Sequence, residues 1–244
     1  MSLTKKRKTL DDFFINNRPS KQTRTPTATK PLEVHEGIPG LRVLTDFVTV
    51  EEEQALLGFF ELQEWRTDLA RRVIHYGGTY CLMPPRTATL EQRIQIEKTI
   101  LTAPSIPSQL DFVISRMIGH NLYTNATAPE YCIVNEYKDR HGISAHVENF
   151  RFKSPVCGLT LDQGDWMRFH ELKYPNDGSV RSGKASQAER TSKVKDVWMP
   201  RRSLLVMEGE AREKWQHEIV RSKRGRNAPC WTRISLTFRT DKCK

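Results

Sequence analysis

One stretch near the C-terminus constrains the fold most. In Trp231-Thr232-Arg233-Ile234-Ser235-Leu236-Thr237-Phe238-Arg239, polar and apolar residues alternate. Successive strand side chains point to opposite faces. Ile234, Leu236 and Phe238 therefore share one face, and Arg233, Ser235, Thr237 and Arg239 share the other. The apolar face needs a layer to bury it, which makes this a sheet with a core on one side. The polar face sets two arginines six residues apart, with hydroxyls between them. Guanidinium forks pair bidentately with carboxylates, so such a wall suits a small dicarboxylate. A solvent-facing strand would carry the same residue types.

Further strands read at Gly40–Leu44, Tyr131–Tyr137, Ile143–Glu148, Val156–Leu161, Trp166–Glu171 and Ser203–Glu208. Thr49 followed by Glu52 is a capping box that opens a helix through Leu56, Leu57 and Phe60. A second helix starts at Ser108, with Leu110, Ile114, Met117 and Ile118 on one face. Arg72–Tyr76 and Thr79–Cys81 flank Gly77-Gly78, which predicts a hairpin. Residues from Pro175 to about Asp196 are polar and read as a loop between strands. Helices first and then a run of strands indicate an α+β fold, with helices packed on one face of a β-sandwich or barrel.

The 244 residues suffice for one buried domain, read at 38–240, with chain left over for tails. The formal net charge is +10, and it is uneven. Residues 1–30 hold eight Lys/Arg against two Asp, leaving the other 214 residues a net +4. Residues 1–35 lack an apolar period and read as a disordered basic tail, suited to polyanions. No apolar run approaches the ~20 residues that span a bilayer, and a basic N-terminus is unlike a secretory signal. Cys81, Cys132, Cys157, Cys230 and Cys243 are odd in number and form no CxxC pair, which suggests reduced thiols in an intracellular protein.

His146 and Glu148, two apart on a strand, share a face. A histidine and a carboxylate supply two of the three ligands of a non-haem Fe(II) facial triad. Chance alone places such a pair in a chain with seven His and 29 acidic residues. His217, in Lys214-Trp215-Gln216-His217, is a candidate third ligand. Asn135 and Tyr137 likewise share one strand face.

Taken in order, Asn135-x-Tyr137, Gly142, His146-x-Glu148, His217 and Arg233-x5-Arg239 resemble the AlkB family of dioxygenases. Arg72-Val73-x-His75-Tyr76-Gly77 and Pro200-Arg201-x-Ser203-Leu204-Leu205-x-Met207-x-Gly209 extend the resemblance over about residues 38–240. It implies a double-stranded β-helix, or jelly roll, with Fe(II), 2-oxoglutarate and O2 as cofactor and cosubstrates. By similarity, His146, Glu148 and His217 would bind the iron. Asn135, Tyr137 and Arg233 would hold the distal carboxylate of 2-oxoglutarate, Arg239 would sit near its iron-side carboxylate, and Ser235 would line the site. The hairpin, with Arg71, Arg72, His75 and Tyr76, would grip a nucleotide. One departure stands out. The family motif has Asp where this chain has Glu148, whose extra methylene adds about 1.5 Å of reach.

Within the tail, residues 7–14 look like the box that binds the sliding clamp PCNA: Leu10, Phe13 and Phe14 match, and Arg7 replaces the usual Gln. These side chains would form one apolar plug on a helical turn. Lys5-Lys6-Arg7-Lys8 reads as a nuclear localisation signal, placing the protein in the nucleus. The resulting expectation is oxidative dealkylation of nucleic-acid bases in DNA repair. Two alternatives are a tRNA wobble-uridine dioxygenase, suggested by the Pro200–Gly209 strand and the Trp215-x-His217 context, and an adaptor whose iron site is spoiled by Glu148.

Overall fold

The computed structural model describes residues 33–34, 37–82, 84, 87–175, 188–221 and 230–242. Among them, a seven-stranded antiparallel sheet runs in the order β1 (Glu33–Val34), β2 (Leu41–Leu44), β11 (Leu204–Met207), β8 (Val156–Asp162), β13 (Thr232–Arg239), β6 (Tyr131–Lys138), β3 (Arg72–Tyr76). A four-stranded sheet runs β10 (Arg190–Met199), β9 (Asp165–Leu172), β12 (Trp215–Ile219), β7 (Ile143–His146). β4 (Thr79–Cys81) and β5 (Ile100–Thr102) form a separate ribbon. The helices are α1 (Val50–Glu61), α2 (Leu90–Lys98), α3 (Asp111–Gly119) and α4 (Glu210–Glu213).

The alternation of β13 organises these layers. The strand lies centrally, paired with β6 and β8. Ile234, Leu236 and Phe238 are buried in one core cluster with Leu56 and Phe60 of α1 and Val113 and Met117 of α3. Each such side chain contributes about 1.5–3 kcal/mol on burial. A second core, with Val43, Leu205 and Met207 from the larger sheet and Phe169, Val197 and Trp215 from the smaller, fills the space between the sheets. Helices outside one sheet and a second sheet inside it make the double-stranded β-helix expected from the sequence. The capping box forms: Thr49 Oγ1 accepts from the Glu52 amide at 3.2 Å, and Glu52 Oε2 accepts from the Thr49 amide at 2.8 Å. Glu52 also takes the fork of Arg116 at 2.8 and 2.7 Å, which ties α1 to α3.

Three expectations need correction. Gly77-Gly78 does not close a hairpin. β3 pairs with β6, whereas β4 pairs with β5, so the two glycines carry the chain from one sheet to another. Both have positive φ, and Gly77 lies against the Glu130 carbonyl where a side chain has no room. The polar stretch ending near Asp196 is not all loop, because Arg190–Met199 forms an edge strand on β9. Its polar residues satisfy the exposed face of an edge rather than a connection. Lastly, Glu33 and Val34, assigned to the tail, pair with Val43 and Arg42. The clamp-like residues Leu10, Phe13 and Phe14 and the basic run Lys5–Lys8 lie outside the described residues. Among the described residues, no helix is long and apolar enough to cross a membrane.

Candidate active site

The polar face of β13 looks into a pocket of about 160 Å³ between the two sheets. Asn135, Tyr137, His146, Glu148, His217, Arg233, Ser235 and Arg239 all line it. Register explains how residues a hundred apart meet. His146 on β7 lies directly across from His217 on β12, and their ring centroids are 4.4 Å apart. Gly142, just before β7, packs so closely on the Ile219 carbonyl of β12 that no Cβ would fit. Glu148 follows β7 by two residues and keeps the parity of His146. Ligand atoms of His146, Glu148 and His217 all lie within 4.8 Å of one another, and His217 Nε2 is 3.6 Å from Glu148 Oε1.

Charges in this group are set by burial and by Arg239. Burial pushes the Glu148 carboxyl up. The Arg239 charge and hydrogen bonds, with the nearby His217, outweigh it and hold the carboxyl well below the usual range. Arg239 donates from Nε to Oε2 at 2.7 Å and from Nη2 to Oε1 at 3.0 Å. For His146, burial first and then the neighbouring His217 lower the pKa to about 4, only partly opposed by Glu148. A neutral His146 and an ionised Glu148 are ligand forms that bind a divalent metal.

A cationic wall stands across from the triad. Ser235 pairs with Asn135 on one side and Thr160 on the other, and Arg233 pairs with Tyr137. Arg233 is 2% exposed and donates to Thr160 Oγ1 at 2.9 Å. The Tyr137 ring has the guanidinium of Arg233 at 5.3 Å and that of Arg71 at 5.7 Å from its centroid. Arg71 Nε donates to Asn135 Oδ1 at 2.8 Å.

A His-Glu-His cluster in a pocket shared with two arginines on a double-stranded β-helix is what an iron-dependent oxygenase of the 2-oxoglutarate type needs. A profile of the 2OG-Fe(II) oxygenase superfamily matches residues 40–239. The chain belongs to this superfamily. Its relatives place it among the AlkB-type oxygenases. It is 29% identical to the uncharacterised protein L905 of Acanthamoeba polyphaga mimivirus, over 82% of this chain and 84% of the viral one. It is 29% identical to the alkylated DNA repair protein ALKBH8 homolog of Arabidopsis thaliana, over 76% of this chain and 52% of the plant protein. Against the mouse tRNA (carboxymethyluridine(34)-5-O)-methyltransferase ALKBH8 the identity is 26%, over 76% of this chain and 25% of the mouse protein. The chain thus spans about half of the plant relative and a quarter of the mouse one. The solved structure of OsALKBH1 shares the fold, with a TM-score of 0.55 at 16% identity, covering 86% of this chain and all of the other.

The superfamily uses Fe(II), 2-oxoglutarate and O2, and the residues present fit the metal. His146 Nδ1 sits 2.9 Å from the Ser144 carbonyl, which fixes the proton on Nδ1 and leaves Nε2 as a lone-pair donor. His217 Nδ1 is buried without a hydrogen-bond partner, an unsatisfied atom in the middle of the cluster. Glu148 reaches the cluster despite its extra methylene, because it lies beyond the end of β7 rather than within it.

The candidate nucleotide contacts fare differently. His75 lines the pocket. Arg71 lines it too, grouped with Asn135 and Tyr137 on the cosubstrate wall rather than on a lid. Arg72 and Tyr76 do not line this pocket. Arg72 forks onto Glu136, with Nε to Oε2 at 2.6 Å, and its guanidinium lies over Trp65 at 4.8 Å. Burial raises the Glu136 carboxyl, but hydrogen bonding to Arg72 more than offsets it, so the pair is ionised and engaged. Tyr76 is 5% exposed and packs in the helix-side core, with an edge on a second, adjoining pocket. Parity predicts this: His75 faces the pocket, so its neighbour cannot. Sequence reading missed Thr160 and Arg212. Thr160 carried a usable signal, since it lies in the apolar run Val156–Leu161 on the parity that meets Ser235.

Proposed function

We propose that this chain oxidises a carbon substituent on a nucleic-acid base, with RNA as the favoured substrate. The observation that carries the reading is the meeting of His146, Glu148 and His217 with Arg233 and Arg239 in one pocket. Bound Fe(II) would supply O2-dependent oxidation, one oxygen atom going to succinate as 2-oxoglutarate loses carbon dioxide and the other to a hydroxylated substrate C–H bond. An N-methyl group so hydroxylated is lost as formaldehyde.

This chain's own residues do the rest. His146, held neutral, His217 and ionised Glu148 would hold the iron. Arg233, braced by Thr160 and flanked with Arg71 by the Tyr137 ring, would take the distal carboxylate of 2-oxoglutarate by a charge-assisted fork. Arg239 keeps Glu148 ionised and oriented. Apolar Met167, Met199 and Leu205 around the pocket exclude water. RNA is favoured because the mouse relative acts on tRNA and another relative, ALKBH9B of Arabidopsis thaliana, is an RNA demethylase. Mass spectrometry of nucleosides from tRNA and methylated DNA, after incubation with Fe(II), ascorbate and 2-oxoglutarate, tests this. Loss or hydroxylation of a modified base in tRNA is expected. Turnover on DNA alone would reverse the substrate choice. No iron-dependent turnover, with Glu148→Asp restoring it, would establish the adaptor reading.

A second reading is favoured by the tail. Leu10, Phe13 and Phe14 beside Lys5–Lys8 support a nuclear enzyme tethered to PCNA that removes alkyl groups from DNA. Loss of PCNA binding in a Phe13→Ala/Phe14→Ala variant is expected on this reading, and unchanged binding would remove it.

A further inference from the structure

A second pocket, of about 500 Å³, adjoins the first. Trp65, Arg66, His75 and Tyr80 are among its lining residues, and His75 lines both pockets. It lies at β3, the terminal strand of the larger sheet, where the 62–66 segment passes and Arg66 bridges to Val73.

The surfaces of this pocket are held in place. Tyr80 stacks on His75 with centroids 4.6 Å and planes 11° apart. The Arg66 guanidinium lies 4.3 Å from the Tyr80 centroid, and its Nη1 is 2.9 Å from His75 Nδ1. Asp68 braces Arg66 with both carboxylate oxygens, at 3.1 and 2.7 Å. Trp65 is fixed by its indole N–H, which donates to the Phe60 carbonyl at 2.9 Å. Arginine only donates, so His75 Nδ1 accepts and the neutral ring carries its proton on Nε2. Burial, then the charges of Arg66 and Arg239, lower the His75 pKa to about 4, so this one tautomer holds at neutral pH. Aromatic rings beside a guanidinium are the surfaces on which single-stranded bases stack.

We propose that this second pocket takes the nucleobase next to the one presented to the metal, so that the chain reads a dinucleotide step rather than a lone base. Tyr80 supplies the stacking surface, and Trp65, covered on one side by the Arg72 guanidinium, walls the pocket beside it. The His75 Nε2–H sits at the boundary of the two pockets, where it donates to an acceptor on either base. The inference rests on the nucleobase reading above.

Competition against a labelled single-stranded RNA decamer tests it, using the full chain with Mn(II) in place of Fe(II). The competitors are N-methylated adenosine and 5-substituted uridine monophosphates, and trinucleotides carrying each at the centre with a base or an abasic residue on either side. In the wild type, removing the neighbouring base on one side should weaken binding roughly tenfold. Tyr80→Ala should abolish that difference and leave mononucleotide affinity within about twofold, whereas Tyr80→Phe should keep it. An equal loss in wild type and Tyr80→Ala, or no abasic effect in the wild type, overturns the second pocket alone. Failure of the wild type to bind the decamer or any competitor overturns the nucleobase reading and this inference with it.

Discussion

Arg239 grips Glu148 through both ends of its fork, at 2.7 and 3.0 Å, while the same carboxylate faces His217 at 3.6 Å. The carboxylate is 4% exposed, so the pair is a buried one. Removing one partner of such a pair leaves the other uncompensated, at a cost of about 3–5 kcal/mol. Glu148→Gln is expected to lower stability by about that amount. It should also remove tight Mn(II) binding, because a neutral amide oxygen replaces the anionic ligand. Urea unfolding and Mn(II) titration check the two effects. Mn(II) affinity equal to the wild type would show that the metal is held elsewhere.

Arg212 ties the segment around Glu148 to the element that delivers His217. It is 2% exposed in α4, and its Nη2 donates to the carbonyls of Asn149 at 3.1 Å and Phe152 at 2.5 Å. α4 runs within two residues into β12. Arg212→Met keeps the bulk but strands two carbonyls, at about 1–3 kcal/mol. Mn(II) affinity should fall severalfold with it, and Arg212→Lys should recover part of both losses. A destabilised Arg212→Met chain with unchanged Mn(II) affinity would confine Arg212 to a structural role.

The guanidinium of Arg233 is buried beside Thr160, Ser235 and the Tyr137 ring, so its planar fork is aimed before any ligand arrives. Lysine keeps the charge and loses the fork. Arg233→Lys is therefore expected to weaken 2-oxoglutarate binding by about tenfold, near the worth of one charge-assisted hydrogen bond, with Mn(II) affinity unchanged. Calorimetric titration of each ligand separates the two, and a parallel loss of Mn(II) binding would make the effect one of folding.

Much of this site was legible because strands have a fixed parity. Period two on β13 gave both the buried face and the arginine wall, and on β6 it put Asn135 with Tyr137, while Glu148 meets His146 from just beyond the end of β7. What parity cannot give is partnership. Gly77-Gly78 looked like a hairpin turn because its local chemistry suits one, yet β3 found a longer partner in β6. Arg72 looked unpaired in a basic, aromatic stretch, but its partner, Glu136, is distant in sequence. Arg190–Met199 carries too few apolar residues for a buried strand, which is the mark of an exposed edge. Arg212 has no local signal at all, since both carbonyls it holds come from residues some sixty positions earlier.

Two histidines predict how stability depends on pH. Burial is the leading cause that lowers both His75 and His146 to about 4, from an ordinary value of 6.5. Each is then neutral in the folded chain over a range where the unfolded chain binds a proton. With more protons on the unfolded state, stability rises with pH. The contribution is present in full above about 6.5 and is lost as pH falls towards 4. Between about pH 6.5 and 5 few unperturbed carboxylates titrate, so a decline there belongs mainly to histidine. Urea midpoints measured in EDTA at pH 7 and at pH 5 should fall on acidification. His75→Gln should flatten part of that slope, since glutamine carries no titrating proton. A midpoint that stays level over this range would mean that these rings are not held neutral in the fold, and the fixed tautomer of His75 would go with it.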